Sequence, residues 1–311
     1  MMWTVQYDEF GAPEVLHLGE AETPSTPAGQ IRVRVRAAGV SPVDGALRSG
    51  RTPMSAQLVL PHIPGVDAAG VVDEVGAGVD GVAVGDEVFG LVDIAKLGGA
   101  SAEFALLPMW ARKPAAMTWP QAGAAGTSVE TATRALDLLD LKPGMTLLVD
   151  GAAGGVGSVV VQLAAARGVS VVGTARPGNH DFVARLGATP VAYGPGLPDR
   201  IARLVPTRVD RALDVAGAGS LAELVGLTGD PGAVVTLADF GASEHGVRLT
   251  MGAIAGEPDG RDGLEAAAEL FEQGRFEVPV EAVFPFAAAA DAHAALEGGS
   301  RRGKLVLGDE L

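Results

Sequence analysis

The stretch Met145-Thr-Leu-Leu-Val-Asp-Gly-Ala-Ala-Gly-Gly-Val-Gly-Ser-Val-Val-Val161 decides the fold. Met145 to Val149 reads as a buried strand, and Val156 to Arg167 continues as an apolar helix. Between them lies Ala152-x-Gly154-x-x-Gly157, a glycine turn in the strand-turn-helix setting of a dinucleotide fingerprint. Glycines there let a backbone approach a pyrophosphate without a Cβ clash, and the helix start offers unpaired N–H groups at its positive end. Ala152, Gly154, Gly155, Val156 and Gly157 are therefore the expected diphosphate cradle. A second strand, Ser170 to Thr174, follows.

The end of that second strand selects the cofactor. An NAD site places a carboxylate on the ribose roughly 20 residues beyond the glycines. Here Gly173-Thr174-Ala175-Arg176 has no acid, and a guanidinium matches a ribose 2′-phosphate in a forked geometry. NADPH is the expected cofactor, with Thr174 and Arg176 in its site and His180 and Tyr193 flanking the phosphate and adenine. The alternative for Arg176 is a solvated surface arginine.

Outward from this unit, strands and helices alternate. Helix Gln121 to Leu139 precedes it. Downstream come helix Asp181 to Leu186, strand Thr189 to Tyr193, a helix near Arg200 to Leu204, strand Val209 to Val215, helix Leu221 to Leu227 and strand Ala233 to Ala238. That rhythm predicts a parallel sheet covered on both faces. The first hundred residues instead alternate short β-like runs with Gly and Pro turns, as in a β-rich, partly closed sheet. The tail, with helix Gly263 to Gly274, segment Val278 to Phe286, helix Ala288 to Leu296 and strand Lys304 to Leu307, is too small for a domain and is expected to return to the first. The predicted division is 1–120, 121–257 and 258–311.

Composition narrows the function classes. The 311 residues carry 23 Lys and Arg against 38 Asp and Glu, a net charge of −15, which repels phosphate backbones and anionic lipids. Nucleic acid and membrane surfaces are poor partners for it. The absence of cysteine excludes disulfides, thiol nucleophiles, Fe–S clusters and thiolate zinc sites. The acidic amino terminus and the lack of a long apolar run predict a cytoplasmic protein.

Several segments occur in a telling order: Gly11-Ala-Pro-Glu-Val-Leu16, Gly39-Val-Ser-Pro-Val-Asp44 with Arg48 and Gly50, Pro64-Gly-Val-Asp-Ala-Ala-Gly70, Gly85-Asp-Glu-Val-Phe-Gly90 and Gly98-Gly-Ala-Ser-Ala-Glu-Phe104. Thr131-Ala with Arg134-Ala-Leu136, the glycine turn, Asp214 to Gly217 and Gly303-Lys-Leu-Val-Leu307 follow. Nearly the whole chain thus resembles the medium-chain dehydrogenase/reductase superfamily, in its zinc-independent quinone oxidoreductase, or zeta-crystallin-like, branch. The resemblance implies an α/β protein with a GroES-like β-rich catalytic domain built from both chain ends, a Rossmann doubly wound parallel sheet domain between them, NADPH, a small-molecule quinone or enone substrate, and a homodimer. It also adds Phe240 and Lys304 to the cofactor-binding set, and it makes the apolar stretch Val247 to Ala255 the counterpart of the dimer-forming last strand.

In the metal-dependent relatives the catalytic zinc is held at positions that fall here on Ser41, Val66 and Thr127. None of these side chains is a competent zinc ligand. Metal-free hydride transfer is expected, and neutral donors suffice where charge spreads over an enone or quinone. The family's donors fall on Ser41, where relatives carry Asn, and on Thr131; the alternative for Ser41 is a turn serine before Pro42. The tyrosines that several quinone reductases carry after Asp44 are replaced by Ala46 and Thr52, and Thr133 replaces another. Glu130 reads as a solvent-facing helix carboxylate, with a proton donor as the alternative. Asp44 and Arg48, four residues apart, read as a structural ion pair. Competing readings are a trans-acting enoyl reductase for a natural-product intermediate and a catalytically idle NADPH-binding protein.

Overall fold

A computed structural model describes residues 1–205, 208–299 and 302–308. The chain opens with β1 (Met2–Gln6), β2 (His17–Ala21), β3 (Ile31–Val40), α1 (Pro42–Arg48), β4 (Asp67–Val75), β5 (Glu87–Leu91), β6 (Phe104–Leu107) and β7 (Met109–Arg112). Then α2 (Trp119–Leu138) leads into β8 (Thr146–Asp150), α3 (Gly155–Ala166), β9 (Ser170–Thr174), α4 (His180–Arg185), β10 (Ala188–Val191), α5 (Leu197–Leu204), β11 (Arg211–Asp214), α6 (Leu221–Thr228), β12 (Val234–Thr236) and β13 (Arg248–Leu249). The chain closes with α7 (Asp262–Glu272), β14 (Val280–Phe284), α8 (Ala289–Glu297) and β15 (Lys304–Gly308).

Two compact units result, residues 1–127 with 264–311 and residues 128–263. The first division falls later than residue 120 because the first turns of α2 pack on the first unit, and the second falls later than residue 257 because Gly260 and Gly263 lie against Glu130 and Thr133 of the second unit. A Cβ at Gly123 would sit 2.7 Å from that of Ala37, and one at Gly126 would sit 2.3 Å from the Gly90 carbonyl oxygen. Glycine at both positions lets the helix lie against the strands.

In the first unit, seven strands form one sheet ordered β14-β15-β3-β4-β5-β7, with β6 also paired to β3, and β1-β2 form a separate ribbon. The strand β3 is its long axis. Its alternation IRVRV buries Ile31, Val33 and Val35 against Val72, Val88 and Leu107, while Arg32 and Arg34 point outward onto Asp73 and Glu103. The strand β15 pairs antiparallel with β3, Leu305 opposite Val40, and this register brings Lys304 beside Ser41.

Asp44 and Arg48 do not pair with each other. Asp44 accepts from the backbone N–H of Ser41 (2.8 Å) and Gly65 (3.1 Å), and burial pushes its carboxyl up to about 6. Arg48, fully buried, donates to the Gly11 carbonyl, Glu297 and His293 Nδ1 (3.3 Å). His293 accepts there as a neutral ring, and burial pushes it down to about 4. The i, i+4 spacing fails as a guide because both residues find partners on other segments.

The second unit has six parallel strands in the order β10-β9-β8-β11-β12-β13, with β8 at the reversal of strand order. Its core joins Leu148 and Val172 to Ile201, Ala212, Leu221, Leu224 and Val234. The stretch Val247 to Ala255 is not one strand. Only Arg248–Leu249 pairs with β12, and Gly252–Ala255 turns as a 3-10 helix started by Gly252 at φ +60°. No helix among the described residues is long and apolar enough to cross a membrane.

Candidate active site and nucleotide cradle

The glycine turn leaves the carboxyl end of β8 at Gly151, whose φ of +93° requires glycine. The Gly151 and Ala152 N–H groups donate to Thr174 Oγ1 (3.0 Å) and Thr174 O (3.1 Å), tying the turn to β9. Gly154 is the N-cap of α3, and the next N–H groups, of Gly155, Val156 and Gly157, start the helix without intrahelical acceptors.

Three glycines serve two different ends. A Cβ on Gly157 would lie 2.1 Å from Gly151 O, and one on Gly173 would lie 2.6 Å from the Ala152 Cβ, so both keep α3 close to the sheet. A Cβ on Gly154 would meet only Gly151 O, at 3.6 Å, and its φ of −74° suits any residue. Among the described residues nothing demands a glycine there. The open backbone above the helix start is a cradle that a side chain would fill, so this turn fits the diphosphate of a dinucleotide.

The neighbouring strand ends carry the remaining predicted cofactor residues. Arg176 is exposed and donates from Nε to the Tyr193 hydroxyl at 3.1 Å, which brings those two together past the ends of β9 and β10. His180 Nε2 lies 3.3 Å from the Ala175 carbonyl and is engaged with the backbone at the start of α4. Thr174 does not face outward. Its hydroxyl accepts from Gly151 and donates to Asp150, which also accepts from Ser220 (2.6 Å). Phe240, 75% exposed, lies just past β12. Asp214, closing β11, accepts from Ala216 N, Gly217 N and Thr236 Oγ1, and burial pushes its carboxyl up.

On the other predicted residues the structure departs from expectation. Glu130 is buried rather than solvent-facing. It is ion-paired to Arg134 (2.9 Å) and accepts from Gly260 N (3.2 Å). Thr131 donates its hydroxyl to Glu130 Oε2 (3.1 Å), which commits the proton a substrate oxygen would need. Lys304 is not poised for a phosphate. Its ammonium is buried in the first unit, bonded to Asp67 Oδ2 at 2.8 Å and to Ser41 Oγ at 2.5 Å.

Asp67 is the residue that sequence reasoning missed. It begins β4, is fully buried, and its Oδ1 accepts from Thr127 N while its Oδ2 holds Lys304. Two glycines make room for it, since a Cβ at Gly39 would lie 2.8 Å from Oδ2 and one at Gly126 would lie 3.0 Å from Oδ1. The signal for it is Gly65-Val66-Asp67, in which the relatives' metal-ligand position falls on Val66 and the carboxylate stands one residue on. Ser41 and Thr127 thus flank an ammonium–carboxylate pair. Such a centre does not fit a zinc ion, which takes neutral nitrogen, thiolate or carboxylate ligands and is repelled by a bound ammonium. Among the described residues, no group of three His, Asp or Glu is placed to hold a metal.

Known proteins share this arrangement of elements. Residues 27–112 match the alcohol dehydrogenase GroES-like domain, and residues 186–307 match the family model described as zinc-binding dehydrogenase. Rat quinone oxidoreductase is 38% identical over 183 residues, 56% of this chain, and the match spans only 53% of that protein's length. The NADPH-dependent alkenal/one oxidoreductase of Arabidopsis thaliana is 31% identical over 314 residues, covering 97% of this chain and 78% of that one. A solved structure of the quinone oxidoreductase from Coxiella burnetii superposes with a TM-score of 0.85 at 27% identity over 99% of both chains.

Proposed function

Because this chain belongs to the medium-chain dehydrogenase/reductase superfamily, in the branch that holds the quinone oxidoreductases, we propose that it reduces quinones or α,β-unsaturated carbonyls with NADPH and without zinc. The observation that carries the reading is that one chain has both an open glycine cradle at the start of α3 and a protein ammonium, Lys304, among the positions matching the relatives' metal ligands. When bound, the nicotinamide supplies a hydride. The chain's own task is then to hold the nucleotide and to receive negative charge on the substrate. Gly154 to Gly157 would hold the diphosphate, Arg176 with Tyr193 the 2′-phosphate, and exposed Phe240 the edge of the same nucleotide. On an enone the β-carbon takes the hydride, the π pair moves to the oxygen, and the α-carbon takes a proton from solvent. Ser41 is the neutral donor assigned to that oxygen, because Thr131 is held by Glu130.

NADPH consumption with 1,4-benzoquinone or a cyclic enone is the direct test, and it is expected to survive a chelator. Faster turnover of ethanol than of benzoquinone, or activity lost to a chelator and restored by zinc, would reject the assignment. Arg176→Ala is expected to weaken NADPH by about ten- to a hundred-fold, the worth of a charged hydrogen bond, and to leave NADH nearly unchanged. Equal affinity of the unmutated protein for both cofactors would remove Arg176 from this role. Pairing of two copies along the β13 edge of the six-stranded sheet belongs to the same proposal, and a bare edge needs cover. Light scattering showing a stable 31.4 kDa monomer at micromolar concentration would remove that part.

A further inference from the structure

The carboxylate of Asp67, the ammonium of Lys304 and the hydroxyl of Ser41 form a short chain in the first unit, and all three residues are buried. Lys304 Nζ donates to Ser41 Oγ at 2.5 Å, so the serine's own proton must point elsewhere. Its one acceptor among the described residues is Asp67 Oδ2 at 3.4 Å, a long contact to an atom that already holds Lys304 at 2.8 Å. The hydroxyl of Thr127, whose backbone N–H also bonds Asp67, is orphaned: its buried Oγ1 has no hydrogen-bond partner among the described residues. A buried hydroxyl without a partner is costly, and one such group, together with a serine whose proton has only a long, shared acceptor beside a buried cation, marks a place prepared for an external acceptor.

Resting on the reductase reading above, we infer that Lys304, braced by Asp67, polarises the Ser41 hydroxyl, so that Ser41 with Thr127 binds the oxygen on which substrate charge develops. Ser41 and Thr127 touch that oxygen, and Lys304 is a positioning residue acting through Ser41. No proton leaves the ammonium. Accepting from a cation strengthens the Ser41 O–H as a donor, and in a buried setting a fixed charge acts on a developing oxyanion with little screening. The chain thereby places a protein cation where its metal-dependent relatives carry ligands for a metal cation.

The test uses 4-nitrophenol, a planar probe whose ionised oxygen mimics an enolate and is read by absorbance without turnover. The full chain is expected to bind it with its ionisation moved down by about one pH unit. Lys304→Met removes the cation, and Lys304→Met with Asp67→Asn also removes the stranded carboxylate, so the double variant keeps a neutral, folded centre by its thermal melt. In the double variant the ionisation shift should vanish and kcat on a cyclic enone should fall by about a hundred-fold, with the NADPH dissociation constant within three-fold. A shift that persists in the double variant, or one absent from the unmutated protein, overturns the inference. A shift present in the unmutated protein without turnover of any quinone or enone leaves the oxyanion site standing and rejects the reductase reading instead.

Discussion

Gly154→Asp is expected to abolish NADPH binding by a hundred-fold or more while leaving the thermal midpoint unchanged or slightly raised. Gly157→Ala should do the opposite to stability. Asp is a favoured N-cap, worth a few tenths of a kcal/mol over the glycine it replaces, and its carboxylate suits the positive end of α3. The backbone at Gly154 accepts it without strain, and the nearest atom to the new Cβ is 3.6 Å away. The same carboxylate would occupy the N–H groups meant for a diphosphate and repel its charge, and each charged hydrogen bond lost costs about 1.5–3 kcal/mol. At Gly157 the added Cβ falls 2.1 Å from Gly151 O and 3.0 Å from Ala152 Cα, both backbone, so α3 must move off the sheet. Overpacking of that kind costs about 1–3 kcal/mol. Titration of cofactor fluorescence and a thermal melt on both variants separate the two effects. NADPH bound by Gly154→Asp within three-fold of the unmutated affinity would mean that the diphosphate does not lie on this turn.

That contrast also shows what a single sequence makes visible. The strand, turn and helix from Met145 to Arg167 carry their signals within about twenty residues, and β9 lies where Ser170 to Thr174 predicts it. The strand β2 leaves almost no signal, because His17–Ala21 is a surface ribbon whose five residues are all polar, small or exposed, and its place is set by its register with β1. Helix α1 spans seven residues and includes Gly45, too short for a hydrophobic period, although Ser41, Pro42 and Asp44 spell a helix start. The site divides in the same way. Arg176 and Tyr193 sit at consecutive strand ends and were legible from the alternation of elements. Lys304 and Asp67 are 237 residues apart, joined only because β15 docks on β3 and β3 on β4, so no local spacing announces the pair. The family resemblance places Lys304 at the nucleotide, and only the sheet shows that it belongs to Asp67.

The same blindness to tertiary partners turned Glu130 into a surface residue, and its real setting carries the largest expected stability effect. Glu130 and Arg134 face each other one turn apart on α2, at 6% and 7% exposure. Arg134 Nη1 bonds Thr250 Oγ1 at 2.5 Å, and Thr250 in turn donates to Glu257, which also accepts from Met251 N, Gly252 N and Arg248. The network fastens the segment after β13 to α2, and Gly260 N closes it on Glu130. Arg134→Met strands the Glu130 carboxylate with one backbone donor and one hydroxyl, and breaking a buried pair from one side costs about 3–5 kcal/mol. Replacing both residues, Glu130→Leu with Arg134→Met, removes the stranded charge and should recover most of that loss, because buried pairs exchanged for apolar side chains are often neutral. Denaturant unfolding of the two single variants and the double variant gives the coupling directly. A coupling below about 0.5 kcal/mol, the additivity expected of independent sites, would show that the carboxylate finds water or another partner once Arg134 is gone. Recovery in the double variant together with unaltered NADPH affinity would place Glu130 in the framework of the second unit and outside its chemistry, and would free Thr131 to be tested as a donor apart from its neighbour.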